Sequence, residues 1–158
     1  MVAQREIPRL QKLYQEVVGP KTKKEFNLAN VHQLPRITKV VVNCGIGKFL
    51  ENQKLKPEAR DTFISTLTTI TGQRPVMLRA KVAVSNFKVR EGSPSGFMVT
   101  IRRDRMWFFL DRLMNLAIPR IKDFRGVNDK AFDAAGNYSL GLTEQAVWPE
   151  INMASVNL

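Results

Sequence analysis

A chain of 158 residues, 44% of them hydrophobic, can bury one core, so disorder throughout is excluded. A formal net charge of +11 selects a polyanionic partner, either nucleic acid or an acidic membrane. No run approaches the roughly 18 apolar residues of a spanning helix, and residues 1–7 carry an early acid, Glu6, and no apolar stretch, which disfavours a membrane or secreted protein.

Leu10, Leu13, Tyr14, Val17 and Val18 recur at helical spacing and predict an amphipathic helix over 8–18, broken by Gly19-Pro20. Residues 21–27 then read as a short basic helix or turn, and the β-branched run 37–46 as a strand. The end of that strand, Gly45-Ile46-Gly47-Lys48, looks faintly like a phosphate loop. It lacks the Gly-x-x-x-x-Gly-Lys-Ser/Thr pattern opening into a helix, so a turn is expected. Pro57 suits the first turn of a helix with Phe63, Ile64, Leu67 and Ile70 as its apolar stripe and Gly72 as its C-terminal cap.

Residues 76–78 can form a short strand. Residues 79–96, basic and rich in small residues, read as an exposed hairpin or long loop with turns at Glu91-Gly92 and Pro94-Ser95-Gly96. Residues 97–103 alternate as a strand, Asp104 is a candidate N-cap, and Met106, Phe109, Leu110, Leu113, Met114 and Ala117 predict one face of a buried helix. Pro119 ends that helix, and residues 137–142 are a last strand candidate before an irregular end from Trp148. This order predicts an α+β fold, a mostly antiparallel sheet with helices packed on one face and the other face free for a ligand.

Cys44, the single cysteine, excludes an intrachain disulfide and fits a reducing compartment. With His32 as the single histidine, the usual zinc sites are absent, and Cys44 reads as a small buried hydrophobe in a strand. No nucleophile constellation or carboxylate pair stands out, so the chain reads as a binding protein, not an enzyme, with no cofactor or metal.

Charge is uneven. Residues 1–78 carry +7, residues 79–125 carry +7 in a shorter stretch, and residues 126–158 carry −3. Within the dense stretch, Arg120-Ile121-Lys122-Asp123-Phe124-Arg125 sets three cations around one aromatic, which suits phosphate pairing with base stacking. A solvated loop with Phe124 tucked into the core would have the same composition.

The words Ala117-Ile118-Pro119-Arg120-Ile121-Lys122-Asp123-Phe124-Arg125-Gly126, Phe132-Asp133, Gly136-Asn137-Tyr138-Ser139-Leu140-Gly141 and Trp148-Pro149-Glu150-Ile151 closely resemble the bacterial-type family of large-subunit ribosomal protein five. The resemblance extends upstream through Ile70-Thr71-Gly72-Gln73-Arg74-Pro75, Ser85-Asn86-Phe87-Lys88-Val89-Arg90 and Arg102-Arg103-Asp104-Arg105-Met106-Trp107. It covers nearly the whole chain in order. It implies one ribosomal RNA-binding domain over 1–158, ending before the strand and helix with which that family normally finishes. It also implies a structural role in the central protuberance, attaching 5S ribosomal RNA to the large ribosomal RNA. The setting implied is a cytoplasmic ribosome, with an organellar one as the other. A free RNA-binding or RNA-chaperone module on the same fold is the alternative reading.

By the same resemblance, Asn43, Gln73 and Thr100 match positions on the 5S RNA-contacting face, with Arg102 and Arg103 flanking it. Read alone, Asn43 and Thr100 would be polar groups satisfying backbone within strands. Arg79, Lys81, Lys88 and Arg90 match an extended loop that reaches the elbow of the peptidyl-site transfer RNA, with Val82 standing where many members have a second lysine. The segment 126–138 matches a loop facing a protein of the small-subunit head. There Ala134-Ala135 replaces a Gly-Arg pair, losing a permissive backbone site and a cation. Arg120, Lys122, Arg125 and Asn137 are the candidates for contacts to ribosomal RNA or across the subunit interface.

Overall fold

A computed structural model describes residues 6–51, 54–87 and 89–151. Helix α1 (Arg9–Leu13) continues through a π-helical turn (Tyr14–Val18) into α2 (Gly19–Glu25). The expected break at Gly19-Pro20 does not occur. Pro20 has no N–H to give, and its ring would crowd the preceding turn of a regular helix. Widening that turn, with the Gly19 N–H donating to the Tyr14 carbonyl, lets Pro20 occupy the first turn of the next segment. The basic residues 21–25 are therefore helical, and the Tyr14 hydroxyl, donating to the Pro35 carbonyl, ties the helix to the chain that follows.

Strand β1 (Val40–Gly45) is shorter than the β-branched run that predicts it, and Ile37 before it is exposed. The phosphate-loop look-alike is a single 3-10 turn, Gly47–Phe49. It leads into a two-stranded hairpin, β2 (Leu50–Glu51) and β3 (Lys54–Leu55), which sequence patterning did not reveal. Helix α3 (Pro57–Thr71) has the expected bounds, with Pro57 in its first turn and Gly72 closing it in the left-handed conformation at φ +68°. Its many threonines are poor helix formers, but Thr62, Thr68, Thr69 and Thr71 each return a hydroxyl hydrogen bond to a carbonyl four residues back.

Strands β4 (Val76–Arg79) and β5 (Pro94–Ile101) complete an antiparallel sheet of order β1-β5-β4. Pro94-Ser95-Gly96, expected as a turn, opens β5 instead; a register shift at Leu78/Arg79 accommodates Pro94, which has no ladder N–H to donate. Helix α4 (Arg103–Arg112) is capped by the extended Arg102, so Asp104 lies inside the first turn and is not the N-cap. A second π-helical turn (Leu113–Ala117) and a 3-10 turn containing Pro119 end it. Met106, Phe109 and Ala117 face the core as expected, whereas Met114 is exposed.

The predicted strand over 137–142 is absent: the backbone there makes one isolated bridge, Phe132 to Tyr138. The fold is α+β, with α3 and α4 covering one face of the sheet. Phe97, Ile101, Met106 and Ile46 are fully buried, each contributing about 1.5–3 kcal/mol relative to exposure. Phe63 stacks on Phe97 with ring centroids 5.8 Å apart, and Trp148 packs on Phe109 at 5.4 Å, holding the tail against α4.

Candidate nucleic-acid interface

Side chains alternate across a strand, so the β1–β5 register sorts the sheet into two faces. The pairs Val40–Ile101, Val42–Val99 and Cys44–Phe97 point to the helices, where Phe97, Val99 and Ile101 are buried. The pairs Val41–Thr100, Asn43–Met98 and Gly45–Gly96 point the other way, with Val41 and Asn43 exposed. Asn43 and Thr100 are therefore diagonal neighbours on the uncovered face. Neither side chain hydrogen-bonds to any described residue, so neither is spent on backbone.

Gln73 sits just past α3, half-buried. Its N–H donates to the Thr71 hydroxyl oxygen at 3.3 Å, and the Thr71 hydroxyl lies 3.0 Å from its carbonyl. Thr71 is itself 4% exposed, which makes that anchor rigid. The pairing of Val76 with Met98 sends the chain before β4 towards the Thr100 end of β5, so Gln73 approaches the edge nearest Thr100.

Cations rim the same edge. Arg102 follows β5 in extended conformation at φ −136°, and the ladder sets exposed Lys39, just before β1, across from it. Exposed Arg74 lies beside Gln73. Arg103 opens α4 with a left-handed φ of +56°, a conformation that costs a non-glycine residue about 1–2 kcal/mol. Sequence reading missed Lys39 and Arg74. Strand parity could have found Lys39, which shares the face of Val41 and Asn43; Arg74 lies outside any strand, and only the β4–β5 register locates it.

The segment between β4 and β5 is a built hairpin, not a slack loop. Val84 and Val89 exchange backbone hydrogen bonds of 2.9 and 3.1 Å, Ala80 donates to Ser93 at 2.9 Å, and Gly92 to Ala80 at 2.9 Å. Arg79 donates to the Gly92 carbonyl at 3.4 Å, while Lys81 and Arg90 are exposed. Lys88 lies outside the described residues.

Arg120, the last residue of the 3-10 turn that ends the α4 region, and Lys122 and Arg125 after it are exposed; Phe124 between them is 38% exposed. Asn137 is engaged within its own loop, its side-chain amide donating to Asp133 Oδ2 at 2.9 Å and its backbone N–H to Oδ1 at 2.8 Å. These bonds to Asn137 chiefly hold the Asp133 carboxyl below the ordinary carboxylate range. Asn43, Thr100 and Arg102 thus share the uncovered sheet face, Gln73 lies near the Thr100 end of β5 and Arg103 opens α4, whereas the two loop groups lie on separate segments. Cys44 is half-buried and its thiol is pushed up by desolvation, away from the nucleophilic thiolate.

Residues 30–90 match the model described as ribosomal protein L5, and residues 94–158 match the model of that ribosomal family's C-terminus. The large ribosomal subunit protein uL5 of Synechococcus sp. (strain JA-2-3B'a(2-13)) is 54% identical over 149 residues, covering 94% of this chain and 81% of that protein. The chain belongs to the ribosomal protein L5 family. The protein of the same name from Synechocystis sp. (strain ATCC 27184 / PCC 6803 / Kazusa) is 51% identical and that from Rippkaea orientalis (strain PCC 8801 / RF-1) 49%, both over the same shares. The ribosomal protein L5 family is structural and non-enzymatic. Among the described residues, no helix is long and apolar enough to cross a membrane.

Proposed function

We propose that this chain, a structural protein of the large ribosomal subunit, binds 5S ribosomal RNA on the open face of its sheet and attaches it to the large ribosomal RNA in the central protuberance. The observation that carries the reading is the Asn43–Thr100 pair, two side chains unpartnered among the described residues on an uncovered face rimmed by Lys39, Arg102 and Arg103. Folded RNA is read by shape, 2′-hydroxyls and base edges, which call for neutral donors and acceptors flanked by cations that pair phosphate. Residues 1–158 act as one RNA-binding unit on the ribosome, in the cytoplasm as for bacterial relatives. The hairpin carrying Arg79, Lys81, Lys88 and Arg90 meets peptidyl-site transfer RNA. Arg120, Lys122, Arg125 and the Asn137 loop meet large-subunit RNA or a protein of the small-subunit head.

The test is 5S RNA filter binding by the free protein. Asn43→Ala, Gln73→Ala and Thr100→Ala should each weaken binding by on the order of 1 kcal/mol, the net worth of one hydrogen bond. Circular dichroism and melting should not change for Asn43 and Thr100. Full binding by all three variants, with lowered melting, would make these residues structural and remove the proposed face.

A further inference from the structure

Phe87 is 79% exposed, more than any other large hydrophobic residue among those described. It ends a 3-10 turn, Ser85–Phe87, at the tip of the β4–β5 hairpin. The paired Val84–Val89 bonds close that tip, and the Ala80–Ser93 and Gly92–Ala80 bonds hold the stem. The Ser93 hydroxyl, donating to the Arg90 carbonyl at 2.6 Å, braces it further. A slack loop would fold an aromatic ring back onto apolar surface; here the backbone is fixed and Val89 is half-buried while the ring stands in water.

The surroundings of the ring select its partner. Residues 79–93 contain four cations, Arg79, Lys81, Lys88 and Arg90, and one acid, Glu91. Val82 and Val84 of the same hairpin are exposed too, but an apolar protein partner would bury these cations unpaired, at a high desolvation cost. An exposed flat ring on a cationic hairpin suits a nucleobase, whose face stacks on the ring while its phosphates meet the charges. Stacking needs a base already out of a helix, and folded RNA offers such bases in loops and corners.

We propose that the Phe87 ring is the stacking platform for one unstacked base at the elbow of peptidyl-site transfer RNA, with cations of the same hairpin holding the flanking phosphates. The proposal rests on the reading of this hairpin as the transfer-RNA-facing one. The ring supplies a contact that salt does not screen, whereas the cations supply one that it does.

Ribosomes carrying Phe87→Leu, Phe87→Trp, or the combined Arg79→Gln, Lys81→Gln, Lys88→Gln and Arg90→Gln variant are compared for release of deacylated transfer RNA from the peptidyl site across a salt series. Phe87→Leu keeps apolar volume but loses the flat face, and should speed release about tenfold, little changed by salt. Phe87→Trp should hold as well as the native ring. The four-cation variant should speed release most at low salt. Native-like release from Phe87→Leu beside faster release from the four-cation variant would overturn stacking and leave the hairpin's reading intact. Native-like release from both would overturn the two together. Fast release from Phe87→Trp as well, or a lowered melting temperature of free Phe87→Leu protein, would also overturn the proposal, because the ring would then serve this chain's own packing.

Discussion

Gly96 shows how closely the open sheet face is fitted at the level of one residue. It is buried, pairs with Gly45, and a β-carbon built on it would stand 2.8 Å from the Cys44 carbonyl oxygen and 3.6 Å from Asn43 Oδ1. The nearest atom is backbone, so it cannot swing aside. Gly96→Ala should therefore destabilise the protein by about 1–3 kcal/mol, as an overpacked site does, and shift β1 beneath Asn43. Urea unfolding measures the first effect; 5S RNA binding measures the second. Unchanged stability would mean that the β1–β5 ladder has slack there. The same ladder explains what could be read beforehand. The parity of Lys39, Val41 and Asn43 is printed in the sequence, but the absence of a side-chain partner for Asn43 is a tertiary fact. Arg112 is the opposite case. It looks like one more cation of the basic stretch, yet it donates to the Ile70 carbonyl at 2.8 Å and pairs with Glu150 at 2.6 Å. No local pattern separates it from Lys39 or Arg102, which make no ion pair with a described residue.

At the level of elements, α3 was legible because its apolar spacing, first-turn proline and closing glycine all agree. The first helix misled because Gly-Pro is a local stop signal that a π-turn, favoured by packing of α1 against α4, overrides. The loop after Gly126 misled in the other direction. Its residues 137–142 suit a strand, but Asp133 takes the N–H groups of Ala135 at 2.9 Å and Asn137 at 2.8 Å, and the Asn137 side chain binds the same carboxylate. Phe132 and Tyr138 then meet edge to face, 4.8 Å apart. Since these bonds lower the Asp133 pKa in the folded loop, their contribution is fully present above the ordinary carboxylate value and is lost as pH falls through the lowered folded one. The Ala135 and Asn137 amides should therefore stay protected through mild acid and exchange faster only below the usual carboxylate range. Amide exchange and chemical shift against pH follow this directly. A midpoint at or above the ordinary aspartate value would show that the carboxylate does not hold the loop.

For the whole molecule, the +11 charge is divided between cations that hold the fold and cations left for a partner. Arg9 pairs with Asp111 at 2.8 Å, and Arg112 with Glu150 and the end of α3. Lys39, Arg102 and Arg103 make no ion pair with a described residue. Only cations that meet phosphate release condensed counterions, so the salt slope of 5S RNA binding counts them. The logarithm of affinity should fall linearly with the logarithm of salt, by about 10³ or more between roughly 50 and 200 mM if six or more phosphates are met. Replacing Lys39 and Arg102 together with glutamine should reduce the slope by about two, nearly one unit per lost contact. Arg112→Gln removes one unit of charge but should leave the slope alone and lower the melting temperature, because Glu150 and the Ile70 carbonyl lose their partner. Equal slopes for both variants and the native protein would mean that Lys39 and Arg102 do not face RNA. A slope that drops by about one for Arg112→Gln, half the drop of the double variant, would mean that binding follows net charge alone, with no particular face responsible.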